Sequence, residues 1–316
     1  MVDSARHELL AKVAAMYYEE EMTQHDIAAA LEFSRVKVHR LLKEARQSQV
    51  VRILIDWPHK RARVLETRLV NQFGLERALV LQTNTTDPTL LLRQVAQLAA
   101  RYLESALSTA DSSLAICFGS TTYEVINAIS ADFQANVQVM QATGSLSQAL
   151  KEFDSSALTR RLAQKLGGEA LYLSSPLLAD SPEAAALIRQ QAILRQTLEQ
   201  VRRADIALVG VGDLDTLTSG FVRAGVANSE QLRSYRERGA IGDMAWQIFD
   251  REGQPFDCGL NQRIIGVTLA ELRAIPLTIA VAAGLNKAAA IVGALRTGAI
   301  NALCTDEATA ARMLHS

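Results

Sequence analysis

The segment Phe118-Gly119-Ser120-Thr121-Thr122 places one glycine and three hydroxyl side chains between an apolar run and a helical pattern. Glycine lets the backbone approach a ligand closely, hydroxyls donate hydrogen bonds, and a helix N-terminus favours an anion. These features are typical of a phosphate cradle. The same residues also suit an ordinary glycine turn followed by a Ser/Thr helix cap. Both interpretations stay open on the residues alone, because the motif is short.

A second loop follows the next apolar run in the chain. Thr143 and Gly144 lie there and could line the same pocket, although the loop contains no Arg or Lys. Further on, Gly210 and Gly212 end a third run, but Asp215 stands where the dinucleotide-binding pattern G-x-G-x-x-G requires glycine. We therefore interpret these two glycines as close-packing positions at a strand end.

Two charged residues near later strand ends are the remaining pocket candidates. Asp243 follows Gly239 and Gly242 in a predicted turn, where it could accept hydrogen bonds from sugar hydroxyls or cap a helix beginning at Met244. Lys287 lies near a helix start, where its charge opposes the helix dipole. This conflict favours a pocket role for Lys287, as a phosphate partner, over that of a surface lysine.

Signatures of catalysis are missing from the sequence. H-E-x-x-H, G-x-S-x-G, G-x-x-x-x-G-K-[ST] and C-x-x-C do not occur. The five histidines lie outside the inferred pocket segments, and the three cysteines are scattered, as in a reducing cytoplasm. We predict no catalytic residue, no metal and no cofactor. An enzyme would need an acid/base pair, for which Asp243 is the one candidate.

The stretch Thr23–Arg46 has the features of a helix-turn-helix. Thr23 and Asp26 have the spacing of a capping box, and Ser34 is suited to cap a second helix. One face of this second helix is predicted to be buried, at Val38, Leu41, Leu42 and Ala45. Two short helices with a basic outer face on the second predict binding in the DNA major groove.

Charge placement supports this interpretation. Residues 1–56 contain eight Lys/Arg and nine Asp/Glu, but Ser34–Arg46 contains five Lys/Arg and one Glu, so positive charge is concentrated on the second helix. The predicted DNA contacts are Thr23, Gln24, Ser34, Arg35, Val36, Lys37, His39, Arg40 and Lys43. A helical hairpin with a solvated basic face, or an interaction module for something other than DNA, is the weaker alternative.

Composition and pattern predict the rest of the architecture. The chain has 316 residues, 49% of them hydrophobic, which suits a small module plus a larger domain with its own core. The net charge of −1 means that any contact with nucleic acid is local. The N-terminus is charged throughout, and no uncharged apolar stretch reaches about 18 residues, so we predict a cytoplasmic protein without a signal peptide or membrane span.

From residue 61 onward, apolar runs alternate with helical patterns, which predicts a mostly parallel, doubly wound α/β sheet. Ligands of such sheets bind beyond the carboxyl ends of the strands. An amphipathic helix at Ala5–Tyr18 should complete the core of the helix-turn-helix, and the run Val50–Ile55 is typical of a wing strand. We place the boundary after residue 56, giving a DNA-binding domain at 1–56 and an effector-binding, oligomerising domain at 57–316.

Several stretches together resemble the SorC family of bacterial sugar-binding transcriptional regulators across nearly the whole chain. They include MTQHDIAAAL, SRVKVHRLLKEAR, FGSTT, ADIALVGVG, GAIGD, IIGVTLAELRAIP, AAGLNKAAAI and INALCTDEATA. The resemblance implies a winged-helix-type DNA-binding domain fused to an α/β domain like that of sugar-phosphate isomerases and deaminases. That domain is expected to bind an effector, usually a phosphorylated sugar, without chemistry.

Gly119–Thr122 match the phosphate-binding loop of the family by position, so the resemblance implies that they bind the phosphate. Asp243 matches an acidic ligand-binding position, and Lys287 matches the lysine of an A-G-G-x-x-K pattern whose first glycine is Ala283 here. The effector is expected to be a sugar phosphate or a polyol, and the oligomer a homotetramer.

We interpret the chain as a regulator of a carbohydrate-utilisation operon that binds double-stranded operator DNA and responds to this effector. The alternative is a sugar-phosphate isomerase-like or deaminase-like enzyme with a DNA-binding appendage.

Overall fold

The computed structural model describes residues 4–48, 50–51, 59–108, 112–146 and 154–315. By its internal contacts the chain divides into two compact units, Met1–Trp57 and Pro58–Ser316. Most of the predicted wing strand, at residues 52–55, lies outside the described residues, as does the predicted boundary at 56–57. The wing and the boundary therefore stay predictions. Among the described residues, no helix is long and apolar enough to cross a membrane.

The N-terminal unit is a three-helix bundle of α1 (Ser4–Tyr18), α2 (Gln24–Ala30) and α3 (Arg35–Gln47). The capping box is confirmed, since Asp26 N–H donates to the Thr23 hydroxyl and the Asp26 carboxylate accepts from the Thr23 backbone. Ser34 caps α3 by accepting from Lys37 N–H at 3.2 Å. The predicted buried face is also confirmed: Val38, Leu41, Leu42 and Ala45 pack against residues of α1 and α2 such as Leu10, Val13 and Ile27.

The C-terminal unit contains a twisted sheet and its covering helices. Within the described residues its strands are β1 (Arg77–Leu81), β2 (Ser113–Ile116), β3 (Gln138–Gln141), β4 (Ala170–Leu171), β5 (Ile206–Asp213), β6 (Ala240–Met244), β7 (Gln247–Asp250), β8 (Leu277–Val281) and β9 (Ala302–Asp306). Its helices are α4 (Arg63–Phe73), α5 (Pro88–Leu107), α6 (Ser120–Ala128), α7 (Ser155–Leu166), α8 (Pro182–Gln190), α9 (Ala192–Arg202), α10 (Gly220–Arg223), α11 (Ser229–Glu237), α12 (Gly259–Arg263), α13 (Leu269–Leu272), α14 (Ala288–Arg296) and α15 (Glu307–Met313). A 3₁₀ turn, Leu285–Lys287, leads into α14.

The main sheet has the strand order β1-β9-β8-β5-β2-β3-β4, and all of these neighbours pair in parallel. The strand order changes direction between β2 and β5, because the chain passes outward from β2 to β3 and β4 and then returns to the other side of β2. β6 pairs antiparallel with the end of β5, and β7 pairs with β6. The predicted mostly parallel α/β fold is confirmed.

Two apolar cores cover the two faces of this sheet. Alternation along β1 shows this directly, since Leu79 and Leu81 belong to one core and Ala78 and Val80 to the other. Helices α5, α6 and α7 pack on the first core, whereas α4, α9, α14 and α15 pack on the second. The doubly wound arrangement leaves the carboxyl ends of the strands as the place for a site.

Some elements differ from the prediction. The helical pattern at 181–204 forms two helices, because Gln191 takes extended backbone angles (φ −59°, ψ 132°) and separates α8 from α9. The strand predicted at 170–175 is limited to β4. The hairpin of β6 and β7 was not predicted, and it changes the position of Asp243, as described below.

Candidate functional site

A cleft with about 630 Å³ of space, including its open mouth, lies at the carboxyl ends of β2 and β5. These are the strands between which the strand order changes direction, the expected place for a ligand in a doubly wound sheet. Six of the predicted effector-binding residues line this cleft. They are Gly119, Ser120, Thr121, Thr122, Asp243 and Lys287.

The predicted phosphate loop forms the N-terminus of α6. Gly119 is its N-cap residue, and no described side chain caps the helix. The Thr122 hydroxyl donates to Cys117 O at 2.7 Å, which ties the first turn of α6 back to the end of β2. The Ser120 hydroxyl accepts from Arg223 Nη1 at 3.0 Å, which brings a guanidinium to the loop. The arrangement offers backbone N–H groups and a cation to an anion.

Asp243 does not lie in a turn, and no helix begins at Met244. Both residues belong to β6, in register with Gly212 and Val211 of β5. Glycine at 212 makes this approach possible, because a Cβ atom there would lie 2.0 Å from Asp243 Oδ1. The interpretation of Gly212 as a close-packing position is confirmed, and the partner that packs against it is the carboxylate of Asp243.

Asp213 is a cleft residue that the sequence analysis missed. Its Oδ1 accepts from Thr218 Oγ1 at 3.0 Å and from Asp215 N–H at 3.1 Å, and its Oδ2 accepts from Asn286 Nδ2 at 2.8 Å. The signal was present in the sequence, because Asp213 directly follows the two glycines that end β5.

Lys287 reaches the cleft from the 3₁₀ turn after β8. Its Nζ donates to Val211 O at 3.0 Å. Burial lowers the pKa of Lys287, the carboxylates of Asp213 and Asp243 oppose this change, and the Arg223 charge adds to it. Lys287 is therefore withdrawn from water, and two acidic side chains and one guanidinium lie close enough to affect its pKa.

Burial also acts on Asp243 and raises its pKa to about 7. The positive charge of Lys287 opposes this rise, whereas the negative charge of Asp213 adds to it. Near neutral pH the side chain of Asp243 is therefore partly in its neutral, protonated form.

The structure does not bring Thr143 and Gly144 to the cleft. Thr143 is fully buried and pairs with Gly266, and Gly144 N–H donates to Ile265 O at 2.8 Å. A Cβ atom at Gly144 would lie 2.2 Å from Pro176 O. The physical reason is the strand order. The loop follows β3, which pairs with the edge of β2 that faces away from β5, whereas the cleft lies at the ends of β2 and β5. The loop packs instead against segments from later in the chain.

One wall of the cleft is aromatic. The ring centroid of Trp246 lies 5.2 Å from that of Phe118, at a tilt of 40°, and 5.2 Å from that of Phe221, at 81°. Trp246 and Ala245 form the two-residue turn between β6 and β7, and both have positive φ, at 64° and 53°. Each costs about 1 kcal/mol or more relative to a right-handed residue. This turn was not predicted, because it lacks the Gly, Asn and Asp that are typical of such turns.

The chemistry of the cleft is that of hydrogen bonding and charge. Cys117 lines it, but burial raises the pKa of that thiol to about 12, so it is neutral and not activated as a nucleophile. No cluster of His, Cys, Asp and Glu suited to a metal ion occurs among the described residues. The cleft can hold an anion at α6 and accept hydrogen bonds from hydroxyls at Asp213 and Asp243.

The predicted DNA-binding residues lie on the outer surface of the N-terminal unit. Eight of the nine are exposed, and Gln24 is half-buried. The Lys37 ammonium lies 3.4 Å from the centroid of the Phe33 ring, which fixes its position. Arg6 of α1 donates from Nε to Glu44 Oε1 at 2.9 Å, so Glu44, the acidic residue of α3, forms an ion pair within the N-terminal unit. Val36 is apolar and 62% exposed, so its side chain is accessible on the surface of α3.

Comparison with known proteins decides the family. Residues 58–315 match the family described as "Putative sugar-binding domain". The chain is 32% identical to the transcriptional regulator LsrR of Enterobacter sp. (strain 638), over 97% of this chain and 93% of that one. The structure of the full-length sorbitol operon regulator SorC from Klebsiella pneumoniae is similar with a TM-score of 0.70 and 27% identity, over 98% and 99% of the two chains. The chain belongs to the SorC family of sugar-binding transcriptional regulators.

The match to the SorC family includes both units. A deoxyribonucleoside regulator from Bacillus subtilis is 27% identical over 99% of each chain, so the similarity spans both units of this chain. The resemblance predicted from the sequence is confirmed. Gly119–Thr122, Asp243 and Lys287 all fall within the segment that matches the sugar-binding domain.

Proposed function

We propose that this SorC-family regulator binds operator DNA through α3 and is controlled by a monophosphorylated sugar or sugar alcohol in the cleft between β2 and β5. The observation that carries the proposal is the convergence of an α6 N-terminus, a desolvated lysine and two carboxyl groups on one cleft. Anion-binding groups and hydroxyl acceptors lie within the span of one small ligand.

The phosphate is proposed to bind at Gly119–Thr122. The first turn of a helix presents N–H groups and the positive end of the helix dipole, both of which favour a phosphate. Lys287 would exchange its hydrogen bond with Val211 O for one with a phosphate oxygen. Arg223, which already donates to Ser120, supplies a second cation at the same loop.

The sugar hydroxyls are proposed to bind at Asp213 and Asp243. A carboxylate accepts hydrogen bonds only, so it suits the O–H groups of a polyhydroxylated carbon chain. Asn286 and Thr218 already hold Asp213 in place, which reduces the entropy that a ligand loses on binding.

A single phosphate suits the cleft better than two. Lys287 is the one cationic side chain among the described residues that line the cleft. Arg223 donates to Ser120, so its charge lies at the loop where the one phosphate is proposed to bind. A second phosphate at the far end would meet Asp213 and Asp243, where its charge would be both desolvated and repelled.

The DNA contacts are proposed to be those of α3, with Arg40 and Val36 at base edges and the other basic residues at phosphates. A palindromic operator is expected, since helix-turn-helix proteins bind paired half-sites as symmetric oligomers. We propose a homotetramer that acts in the cytoplasm, where its operator is.

An enzyme of the isomerase or deaminase type is the alternative function. One observation favours it, namely that the pKa of Asp243 near 7 suits a general base. We propose binding without turnover, because the relatives of known role are named transcriptional regulators. Product formation from pentose and hexose phosphates, followed by NMR and surviving repurification, would favour the enzyme instead.

The experiment is a thermal-shift screen over sugar phosphates and polyols, followed by calorimetric titration of the best ligand and its dephosphorylated form. We expect wild type to prefer the phosphorylated form, and Lys287→Ala to lose about tenfold or more in affinity for it. Lys12→Ala, an exposed lysine of α1, serves as the matched control. Equal affinity of wild type for both forms would show that the cleft does not recognise phosphate.

A further inference from the structure

The aromatic wall of the cleft has no role in the binding of phosphate or hydroxyl groups. Phe118 follows β2, Phe221 lies in α10, and Trp246 lies in the β6–β7 turn, so three separate elements supply it. Phe221 is fully buried, whereas Phe118 and Trp246 keep 6% and 5% of their surface exposed while lining the cleft. The aromatic wall is therefore a built feature, and its exposed edges belong to Phe118 and Trp246.

The backbone that presents Trp246 is strained. Met244 pairs with Gln247, so Ala245 and Trp246 are the two central residues of a tight hairpin turn with positive φ at both positions. Such turns strongly favour Asn-Gly, because the Cβ atom of other residues collides with the backbone in the left-handed region. A residue that only filled the core would not need this position. Strain that persists beside a ligand site points to a role in binding.

The shape of a sugar explains what the wall could do. Asp213, Asp243 and Lys287 are the charged residues among those that line the same cleft. A ring-closed sugar has a face of C–H groups and a rim of hydroxyls, so it can place C–H groups on an indole and hydroxyls on carboxylates at once. An open-chain sugar alcohol turns hydroxyls in all directions and has no continuous apolar face to bury.

We propose that Trp246 is the surface against which the carbon ring of the ligand stacks, so that the cleft selects a ring-closed sugar phosphate over the open-chain alditol phosphate of equal carbon number. This inference rests on the proposed function, because a phosphate held at Gly119–Thr122 fixes one end of the ligand and leaves its carbon skeleton to meet the aromatic wall. Trp246 is then a specificity-determining residue.

The test uses matched pairs of ligands, each a ring-forming sugar phosphate and the alditol phosphate that is its C1-reduced, permanently open form. Glucose 6-phosphate is paired with glucitol 6-phosphate, and ribose 5-phosphate with ribitol 5-phosphate; 1,5-anhydroglucitol 6-phosphate serves as a locked ring. Each is titrated by calorimetry into wild type, Trp246→Leu and Trp246→Phe. In a Trp57→Phe background Trp246 is the one remaining tryptophan, so its fluorescence reports directly on stacking.

We expect wild type to bind the ring-closed member of the recognised pair about tenfold more tightly than its alditol. Trp246→Leu, which keeps an apolar side chain but no flat ring, should bring the two affinities within about twofold, chiefly by weakening the ring-closed ligand. Trp246→Phe should keep most of the preference. A purely structural role would change both affinities together and leave their ratio unchanged.

Four outcomes would overturn the inference. In the first, wild type binds the alditol phosphate as tightly as the ring-closed sugar phosphate. In the second, folded Trp246→Leu keeps the wild-type ratio of the two affinities. In both cases phosphate binding and the proposed function stand. If Trp246→Leu does not fold, the fluorescence of the Trp57→Phe protein decides, and an unchanged emission on ligand binding would again overturn the inference. Binding of no phosphorylated ligand by wild type would overturn the proposed function, and this inference with it.

Discussion

A carboxyl group that is withdrawn from water holds its proton to a higher pH, and Asp243 is in this position. Its pKa is raised from 3.8 to about 7, first by burial and then by the charge of Asp213, against the opposing effect of Lys287. Between about pH 4 and pH 7 the unfolded chain releases this proton while the folded chain keeps it. The contribution of Asp243 to stability therefore falls as pH rises through this window.

We predict that Asp243→Asn gains stability relative to wild type as the pH is raised from 5 to 8. Asparagine cannot ionise, so the variant escapes a cost on the order of a few kcal/mol that wild type incurs above pH 7. The measurement is the difference in thermal midpoint between the two proteins across this range, in which the titration of groups that do not interact with Asp243 cancels. A difference that stays constant with pH would show that Asp243 ionises normally in the folded protein.

Asp243 enters the cleft because two strands approach closely, and this approach depends on Gly212. We predict that Gly212→Ala weakens binding of the effector by about tenfold or more, since its Cβ atom would lie 2.0 Å from Asp243 Oδ1 and force the carboxyl group out of place. The thermal midpoint should change much less, because the displaced atom ends a movable side chain.

Gly259→Ala is the matched control for this substitution. Gly259 begins α12, and a Cβ atom there would meet nothing within 4 Å. Both variants should be titrated with the same effector by calorimetry. Wild-type affinity in Gly212→Ala would mean that the position of Asp243 does not matter for the ligand.

Helix α3 carries the second element-scale prediction. Arg40 is exposed on the face opposite the buried Val38 and Leu41, so it is available to a base edge in the major groove. We predict that Arg40→Ala weakens binding to an operator selected from random DNA by about 1–3 kcal/mol. Binding to unrelated DNA should weaken less, because phosphate contacts carry no sequence information.

Anisotropy titrations at fixed salt concentration measure both affinities, with Arg195→Ala, an exposed arginine of α9, as the control. An equal loss for operator and unrelated DNA would assign Arg40 to a phosphate. Undiminished operator binding would remove Arg40 from the interface altogether.

The helix-turn-helix could be predicted residue by residue because its signals are local. The Thr23–Asp26 capping box, the Ser34 cap and the apolar stripe of α3 each depend on neighbours within two turns of helix. The strands of the sheet could be predicted for a similar reason, since a strand buried on both faces is a continuous apolar run. Gly119–Thr122 followed from its position between such a run and a helix.

The cleft could be predicted only in part, because segments far apart in sequence build it. Thr143 and Gly144 also follow a strand, and only the strand order excludes them. Gly242 suggested a turn, whereas it lies in β6, where a Cβ atom would come 2.7 Å from Ala290 Cβ. The turn at Trp246 has no sequence signal, because tertiary contacts hold it against the local preference of its residues.

At the scale of the whole molecule, a regulator must link its two units through one equilibrium. DNA binding is assigned to the N-terminal unit and effector binding to the C-terminal unit, so an effector changes operator affinity only if it binds the DNA-bound and DNA-free states with different affinity. Thermodynamic linkage makes this effect reciprocal. The factor by which the effector changes operator affinity must equal the factor by which the operator changes effector affinity.

We predict that these two factors agree in wild type, at about 5- to 150-fold. At an effector concentration that saturates wild type only, Lys287→Ala should show almost no change in operator affinity, while its operator affinity without effector stays at the wild-type value. The first factor comes from anisotropy titrations of operator with and without saturating effector, and the second from calorimetric titrations of effector with and without saturating operator. Arg40→Ala is the complementary variant, because it should weaken operator binding yet keep the wild-type affinity for the effector. A Lys287→Ala protein that still responds to the effector would place the regulatory ligand outside the cleft between β2 and β5. Loss of operator binding by Lys287→Ala alone would mean instead that this lysine supports the DNA-binding state itself.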